Sequence, residues 1–261
     1  MTLFLASSPL WLSTFLVLIV PMGLTVCGCL LVRRTVKLED LVENNEVAGF
    51  KFAVIGVIYA VLLGFAVIVV WEKFHDAEAA AVQEASGVIA IARLAAGLDE
   101  AAASAVRQSL DGYAHAVIDD EWPAMAHGEA SPKVSRALNA LYATVLAANP
   151  QTPRASATMA ALLTQLNVVT EGRRGRLMLA SGIVPDVVWV VLVGGAIITL
   201  SFTFFFGTRS VRAQALMTGI LATMVFMALL VVVVINYPFA GPVRVAPDIL
   251  ESAVSGFAAG H

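Results

Sequence analysis

KFAVIGVIYAVLLGFAVIVVW (Lys51–Trp71) runs straight into EKFHDAEAAAVQEASGVIAIARLAAG (Glu72–Gly97). The first part is apolar and carries no charge from Phe52 to Trp71, about the 20 residues that a helix needs to cross the hydrocarbon layer. The second part is polar at first, alanine-rich and free of proline. Nothing between Trp71 and Gly87 stops a helix. One long helix is predicted, leaving a membrane and continuing into water. Gly56, Ala60 and Gly64 fall four apart, so they stack on one face and let another backbone approach closely. Ile58, Leu62, Phe65 and Val69 make a bulky face on the other side. A helix with one small and one bulky face sits between two environments.

The whole chain supports a membrane reading. It has 261 residues, 59% hydrophobic and 13% charged, with mean hydropathy +0.85. A soluble domain has about 25% charged residues. The formal net charge is −3 and the pI about 5.8, and no basic patch points to nucleic acid. Cys27 and Cys29 lie two apart in an apolar run, so they point apart and do not pair. A zinc site there lacks further ligands. Both read as small apolar residues facing lipid or helix. Leu24-Thr25-Val26 before Cys27 faintly resembles a lipoprotein cleavage site, but no Lys or Arg precedes it, so the N-terminus is expected to be retained.

Outward from the long helix, the first span is predicted over residues 11–32, with Trp11 as an interfacial anchor and a kink or break at Pro21 and Gly23. A charged connector follows, RRTVKLEDLVENNEVAG (Arg33–Gly49). It contains a partly apolar helical turn that Asn44, Asn45 and Gly49 are expected to break. The second span covers residues 52–71, which closes a first membrane pair over 1–71. Residues 72–182 form a helical aqueous insert, with no strand-like alternation. Gly97-Leu98-Asp99-Glu100 reads as a break and a new start, with Asp99 as cap. Ser131 or Pro132 opens a helix to Ala148, and Thr152 or Arg154 opens one through Thr170 to Leu179. The third and fourth spans are predicted at 183–206 and 213–236, a second membrane pair over 183–236. The tail, 237–261, is expected to hug the membrane surface or a neighbouring subunit. The fold class is therefore an all-α membrane protein with four transmembrane helices and an aqueous insert between the second and third.

The two short connectors carry Arg33, Arg34, Lys37, Lys51, Arg209 and Arg212. The positive-inside rule places them in the cytoplasm and sends the insert outward. Lys73, Arg173, Arg174 and Arg176 at the ends of the insert oppose that orientation.

Little in the sequence points to catalysis. His75 and Glu78, with Glu72 and Asp76 nearby, share part of one helix face, and His115 and Asp119 lie four apart. A di-metal bundle wants Glu-x-x-His from two helices plus two more glutamates. Here one pair has that spacing, in reversed order, so no metal or other cofactor is expected. No Gly-x-Ser-x-Gly and no phosphate-binding loop is present, and the chain is not read as an enzyme. Arg173, Arg174 and Arg176 form a compact cluster that either anchors a helix at the interface or holds lipid headgroups or anions near a vestibule. No charge lies deep in any span. That argues against a proton relay and suits a channel narrowed by apolar side chains.

The run GVIYAVLLGFAVIVVWEKFHDAEAAAVQEAS (Gly56–Ser86), Tyr113, EWPAM (Glu121–Met125), RRGRL (Arg173–Leu177), PDVVWVVLVGG (Pro185–Gly195) and PFAG (Pro238–Gly241) together resemble the DUF4239 family, described as bestrophin-like. The resemblance covers most of the chain from Val47 onward. It implies a bestrophin-like fold and, at greater distance, a pentameric channel for inorganic ions, anions before cations, in the lipid bilayer of a bacterial inner membrane. Ile58, Leu62, Phe65 and Val69 would then line an apolar neck, and Gly56, Ala60 and Gly64 would pack against neighbours; the reverse assignment stays open. The insert would be cytoplasmic. No acidic cluster matches the calcium clasp of animal bestrophins. The alternative reading is a non-conducting, membrane-anchored helical sensor or scaffold. An enzyme with a metal in the insert is the outlying third.

Overall fold

The computed structural model describes residues 2–43 and 45–258, which are helical throughout their regular structure. They fall into two compact units, Met1–Glu72 with Ile183–Asn236, and Lys73–Gly182 with Tyr237–His261. Among the described residues, four helices are long and apolar enough to cross a membrane: Leu10–Thr35 (α1), the long helix beginning at Asn45 (α2), one beginning at Asp186 and Val211–Ile235.

In the first unit, a short helix Thr2–Ser7 is tied to the start of α1 by Ser13 Oγ, which donates to Leu5 O at 2.6 Å. The expected break at Pro21 does not occur. The chain stays helical, and a five-residue π-turn, Phe15–Ile19, lies one turn before the proline. Such a turn absorbs a missing backbone bond and a ring clash without ending the helix. The expected break at Asn45 and Gly49 is also absent, for α2 runs as one helix over Asn45–Leu94. Asn45 bonds a neighbouring loop instead of competing for its own helix; Asn44 lies outside the described residues.

The unit's core joins Tyr59, Leu63 and Val70 of α2 to Leu192, Ala196 and Leu200, and to Ala222, Val225 and Leu229. These partners lie on the third and fourth spans. The tightest seat is Tyr59 on Gly195, where a Cβ would stand 2.5 Å from the ring. Tyr59 OH donates to Leu192 O at 3.1 Å. The Tyr59 ring thus occupies the space a side chain would need.

In the second unit, Glu100–Ala116 (α3) starts at Asp99, whose Oδ1 accepts from Ala102 N at 2.9 Å. A π-turn, Val117–Glu121, leads into a short helix Trp122–Met125. Pro132–Ala147 (α4) and Pro153–Ala180 (α5) follow, the latter capped by Thr152 Oγ1. Asp186–Phe202 (α6) and Val211–Ile235 (α7) then return to the first unit.

The second core is built from helical stripes: Ala77, Ala81, Ala85 and Val88 of α2 meet Val106 and Leu110, Val134 and Leu138, and Leu162 and Leu166. Alanine on the α2 stripe lets α5 approach closely. A Cβ added at Gly172 would lie 2.7 Å from the backbone N of Glu84.

The tail departs from expectation. Phe239, Val245 and Leu250 join the core of the second unit, and Asp248–Ala258 (α8) closes the described chain. An apolar residue at each of these positions gives the tail a core to enter, so it packs on the insert's own helices.

Candidate functional site

Two places hold what chemistry this chain has: the membrane half of α2, and a cluster of charges inside the insert.

In its membrane half, α2 buries one face only. Tyr59, Leu63 and Val70 are buried. Gly56, Ala60 and Gly64 lie roughly a quarter turn to one side of that face, at 100° per residue. A Cβ at Gly56 or Gly64 meets nothing within 4 Å, and Ala60 is exposed. Ile58, Leu62, Phe65 and Val69 lie roughly a quarter turn to the other side, 43–63% exposed. Val54, Val57, Val61 and Ile68 stand roughly half a turn away and are exposed too. Packing within the chain therefore uses a third face, neither the small nor the bulky one. Both named faces stay open to lipid or to another copy.

The insert holds a buried network, and it separates the three arginines that the sequence groups as one cluster. Arg176 is fully buried, not exposed to headgroups. Its Nε donates to Glu84 Oε2 at 2.5 Å, and its Nη2 reaches Glu121 Oε2 at 3.4 Å. Its Nη1 lies 3.2 Å from Met125 Sδ, and its Cζ lies 4.6 Å from the centre of the Trp122 ring. Arg173 holds Glu121 with two nitrogens, Nη2 to Oε1 at 2.6 Å and Nε to Oε2 at 3.0 Å. Its Nη2 also donates to Ser135 Oγ at 3.0 Å. Tyr113 OH donates to Glu84 Oε1 at 2.7 Å. Only Arg174 of the three arginines stays exposed.

The reason is charge economy in a low dielectric: a guanidinium enters a core only with paired carboxylates. Here two buried glutamates and two arginines balance. Burial works against the charge on Arg176, yet Glu84 beside it holds the guanidinium above its ordinary value. Burial and then the Glu84 carboxylate push the Tyr113 phenol well above its own.

Glu84 and Glu121 escaped notice as site residues. Glu84 carried a signal: it lies on the α2 stripe of Ala77, Ala81 and Val88, at helical spacing, where a charge is out of place without a partner. His75 and Glu78 are joined at 3.0 Å on an exposed face, and His115 pairs with Asp111. Among the described residues no group of three or more His, Cys, Asp or Glu could hold a metal.

The Bestrophin-like domain matches residues 19–250. The chain belongs to the bestrophin-like family. No curated protein matches it. Two solved structures share its fold. One is a crystal structure of a point mutant of a bacterial bestrophin homologue from Klebsiella pneumoniae, with TM-score 0.70 and 12% identity over 93% of this chain and 99% of that one. The other is a crystal structure of a membrane protein with a proline-to-alanine substitution, with TM-score 0.68 and 13% identity over 93% and 98%. This bestrophin-like chain is thus an all-helical integral membrane protein whose four apolar helices flank a helical insert. The family match begins inside α1 and ends within α8, so it includes both the open faces of α2 and the buried charges.

Proposed function

We propose that the chain is one subunit of an oligomeric, bestrophin-like ion channel, a pentamer in a bacterial inner membrane, passing anions in preference to cations. The observation that carries this reading is the membrane half of α2. It is uncharged from Phe52 to Trp71 and buries only the Tyr59, Leu63 and Val70 face. An anchor helix needs no such division. A helix standing in a ring does: one face to its own subunit, one flank to a neighbour and the other flank to the lumen.

In this reading Ile58, Leu62, Phe65 and Val69 line an apolar neck that conducts by wetting, and Val57 and Val61 continue it around the helix. Gly56, Ala60 and Gly64 receive the next copy, because small residues let backbones approach. Residues 72–182 are the aqueous part, and Arg174 is the one arginine of its cluster left to face anions or headgroups. The fold likeness and the family support the channel. The preference for anions rests on the resemblance to bestrophins.

The test is purified protein in planar bilayers, with native mass spectrometry of the same sample. A ring of copies carrying current, with a reversal potential that follows the anion gradient, is the expected result. Phe65→Ala then raises the current or its open fraction. A monomer overturns the proposal. A well-formed oligomer silent under every salt gradient leaves the membrane-anchored scaffold in its place.

A further inference from the structure

Away from the open faces of α2 and the insert, positive charge gathers at one end of the first unit. Every Lys and Arg of that unit lies in its two short connectors or directly beside them: Arg33, Arg34, Lys37, Lys51, Arg209 and Arg212. Three of these come to one level. Along the seam of α1 and α7, Thr223 Oγ1 lies 3.1 Å from Met22 Sδ, a Cβ added at Gly219 would lie 3.6 Å from Val26, and Thr218 Oγ1 lies 3.6 Å from Cys29 Sγ. The two helices therefore run antiparallel. About two turns beyond Val26 and Gly219, Arg33 stands level with Arg212. Arg33 Nη2 donates to Thr208 O at 2.8 Å, which brings Arg209, the next residue, to the same end of the seam. Thr208 Oγ1 donates to Ser210 O at 2.9 Å, and Ser210 Oγ accepts from Ala213 N at 3.3 Å, so the loop that carries Arg209 is held on both sides of it.

Guanidinium groups gathered at one level repel one another, and an anion among them is favoured. The first unit does not supply it. Among the described residues no carboxylate pairs with Arg33, Arg209 or Arg212 within 4.0 Å. Arg209 and Arg212 are exposed, and Arg33 is half-buried. Their height decides which anion fits. Arg33 lies in the last turn of α1 and Arg212 in the first turn of α7, where the apolar spans end. Just inside them Leu31, Leu216 and Ile220 are 63%, 65% and 55% exposed. That level is the boundary between hydrocarbon and headgroups, where a phospholipid carries its phosphate and its tails run back along exposed apolar side chains. Arginine matches phosphate with two parallel N–H donors, and each basic residue near the surface adds attraction for an anionic lipid.

We propose that Arg33, Arg209 and Arg212 form a site for the phosphate of an anionic phospholipid at the α1–α7 seam. The test is native mass spectrometry of the full chain in detergent, with an equimolar mixture of phosphatidylglycerol and phosphatidylcholine of the same acyl chains. The wild type retains phosphatidylglycerol several-fold over phosphatidylcholine. The double variant R209Q, R212Q loses that preference and keeps the unfolding midpoint of the wild type, because both side chains are exposed. If the double variant does not fold, R209Q and R212Q are measured singly, and each loses part of the preference. The double variant R93Q, R107Q removes the same charge from exposed positions of the insert and keeps the preference.

Equal retention of the two lipids by the wild type overturns the proposal, as does a full preference in folded R209Q, R212Q or in both single variants. An equal loss in R93Q, R107Q overturns it too, because overall charge and not a site would then select the lipid. Inorganic phosphate, added in excess, is expected to leave the phosphatidylglycerol bound. Displacement by inorganic phosphate would assign the arginines to a free anion and overturn the lipid site.

Discussion

Asn45 and Gly207 exchange two hydrogen bonds. Asn45 Nδ2 donates to Gly207 O at 2.8 Å, and Gly207 N donates to Asn45 Oδ1 at 3.0 Å. The side-chain amide pairs with the loop as a strand backbone would. Arg33 Nη2 donates to Thr208 O at 2.8 Å, and Gln214 Nε2 donates to Phe206 O at 2.7 Å. Three successive carbonyls of the α6–α7 loop are thus satisfied from three separate elements. Asn45→Ala strips both partners from Gly207, and leaving such groups unpaired costs about 1–3 kcal/mol. Gly207→Ala is as damaging for another reason: its Cβ would lie 2.7 Å from Leu41 Cβ and 3.0 Å from Val42 N. Thermal unfolding in detergent checks both, and an unchanged midpoint in either would refute this account of the loop.

Two glycines on packed helices should answer alanine in opposite directions. Gly112 on α3 meets nothing within 4 Å of an added Cβ, so Gly112→Ala stabilises by roughly 0.5–1 kcal/mol through helix propensity. Gly172→Ala drives a methyl into the α2 backbone, and overpacking of that kind costs about 1–3 kcal/mol. Denaturant midpoints of the two variants, measured side by side, should straddle the wild type.

Arg176→Met removes the cation that both buried glutamates share. Breaking a buried pair from one side costs about 3–5 kcal/mol, because it strands the partner charge. Arg176→Met with Glu84→Leu removes the pair together and recovers part of the loss, while Arg173 keeps Glu121 paired. Equal stabilities for the single and double variants would show that the Glu84–Arg176 pair is not the unit drawn here.

Arg176 also shows where sequence reasoning ran out. Four spans were legible because uninterrupted apolar runs of that length have one cheap solution in a bilayer. The Asp99 and Thr152 starts were legible because capping is local chemistry. Arg173, Arg174 and Arg176 looked alike as a run of positive charge, but on a helix 173 and 176 point to one side and 174 to another. Which side is buried depends on Glu84 and Glu121, distant in sequence by 92 and 55 residues from Arg176. Nothing local announces such a pairing. The tail was misplaced for the same reason: Trp122, its partner, lies far back in the chain. Which open face of α2 meets a neighbour is set by other copies, and one chain's sequence holds no record of their arrangement.

Tyr113 makes the insert sensitive to alkali. Its phenol is held well above its ordinary value by burial and by Glu84, whereas in the unfolded chain it ionises near pH ~10. The folded state therefore keeps a proton that the unfolded state gives up. Its contribution is complete below pH ~10 and is lost as pH rises from there towards the folded value. Tyr113→Phe flattens that alkaline slope, although it also forfeits the bond to Glu84 at neutral pH. Unfolding midpoints on either side of the tyrosine transition, with tyrosinate absorbance in parallel, decide it; identical slopes in wild type and variant would reject the assignment.

One indole N–H helps to hold the tail. Trp122 Nε1 donates to Val245 O at 3.1 Å, and its ring meets Phe239 edge-on at 5.9 Å between centroids. Trp122→Phe retains most of the ring contact and removes the donor. Val245 is buried, so its carbonyl loses a partner in a site where that costs about 1–3 kcal/mol. Arg244 beside it is exposed, yet trypsin needs several residues of free backbone to cut there. Cleavage therefore tracks local opening of the tail. At roughly tenfold per 1.4 kcal/mol, cutting after Arg244 should speed up between about five-fold and a hundred-fold in Trp122→Phe. Trp11→Phe serves as the control, because that ring is exposed. Equal cleavage rates in wild type and Trp122→Phe would mean that the Trp122–Val245 bond does not hold the tail.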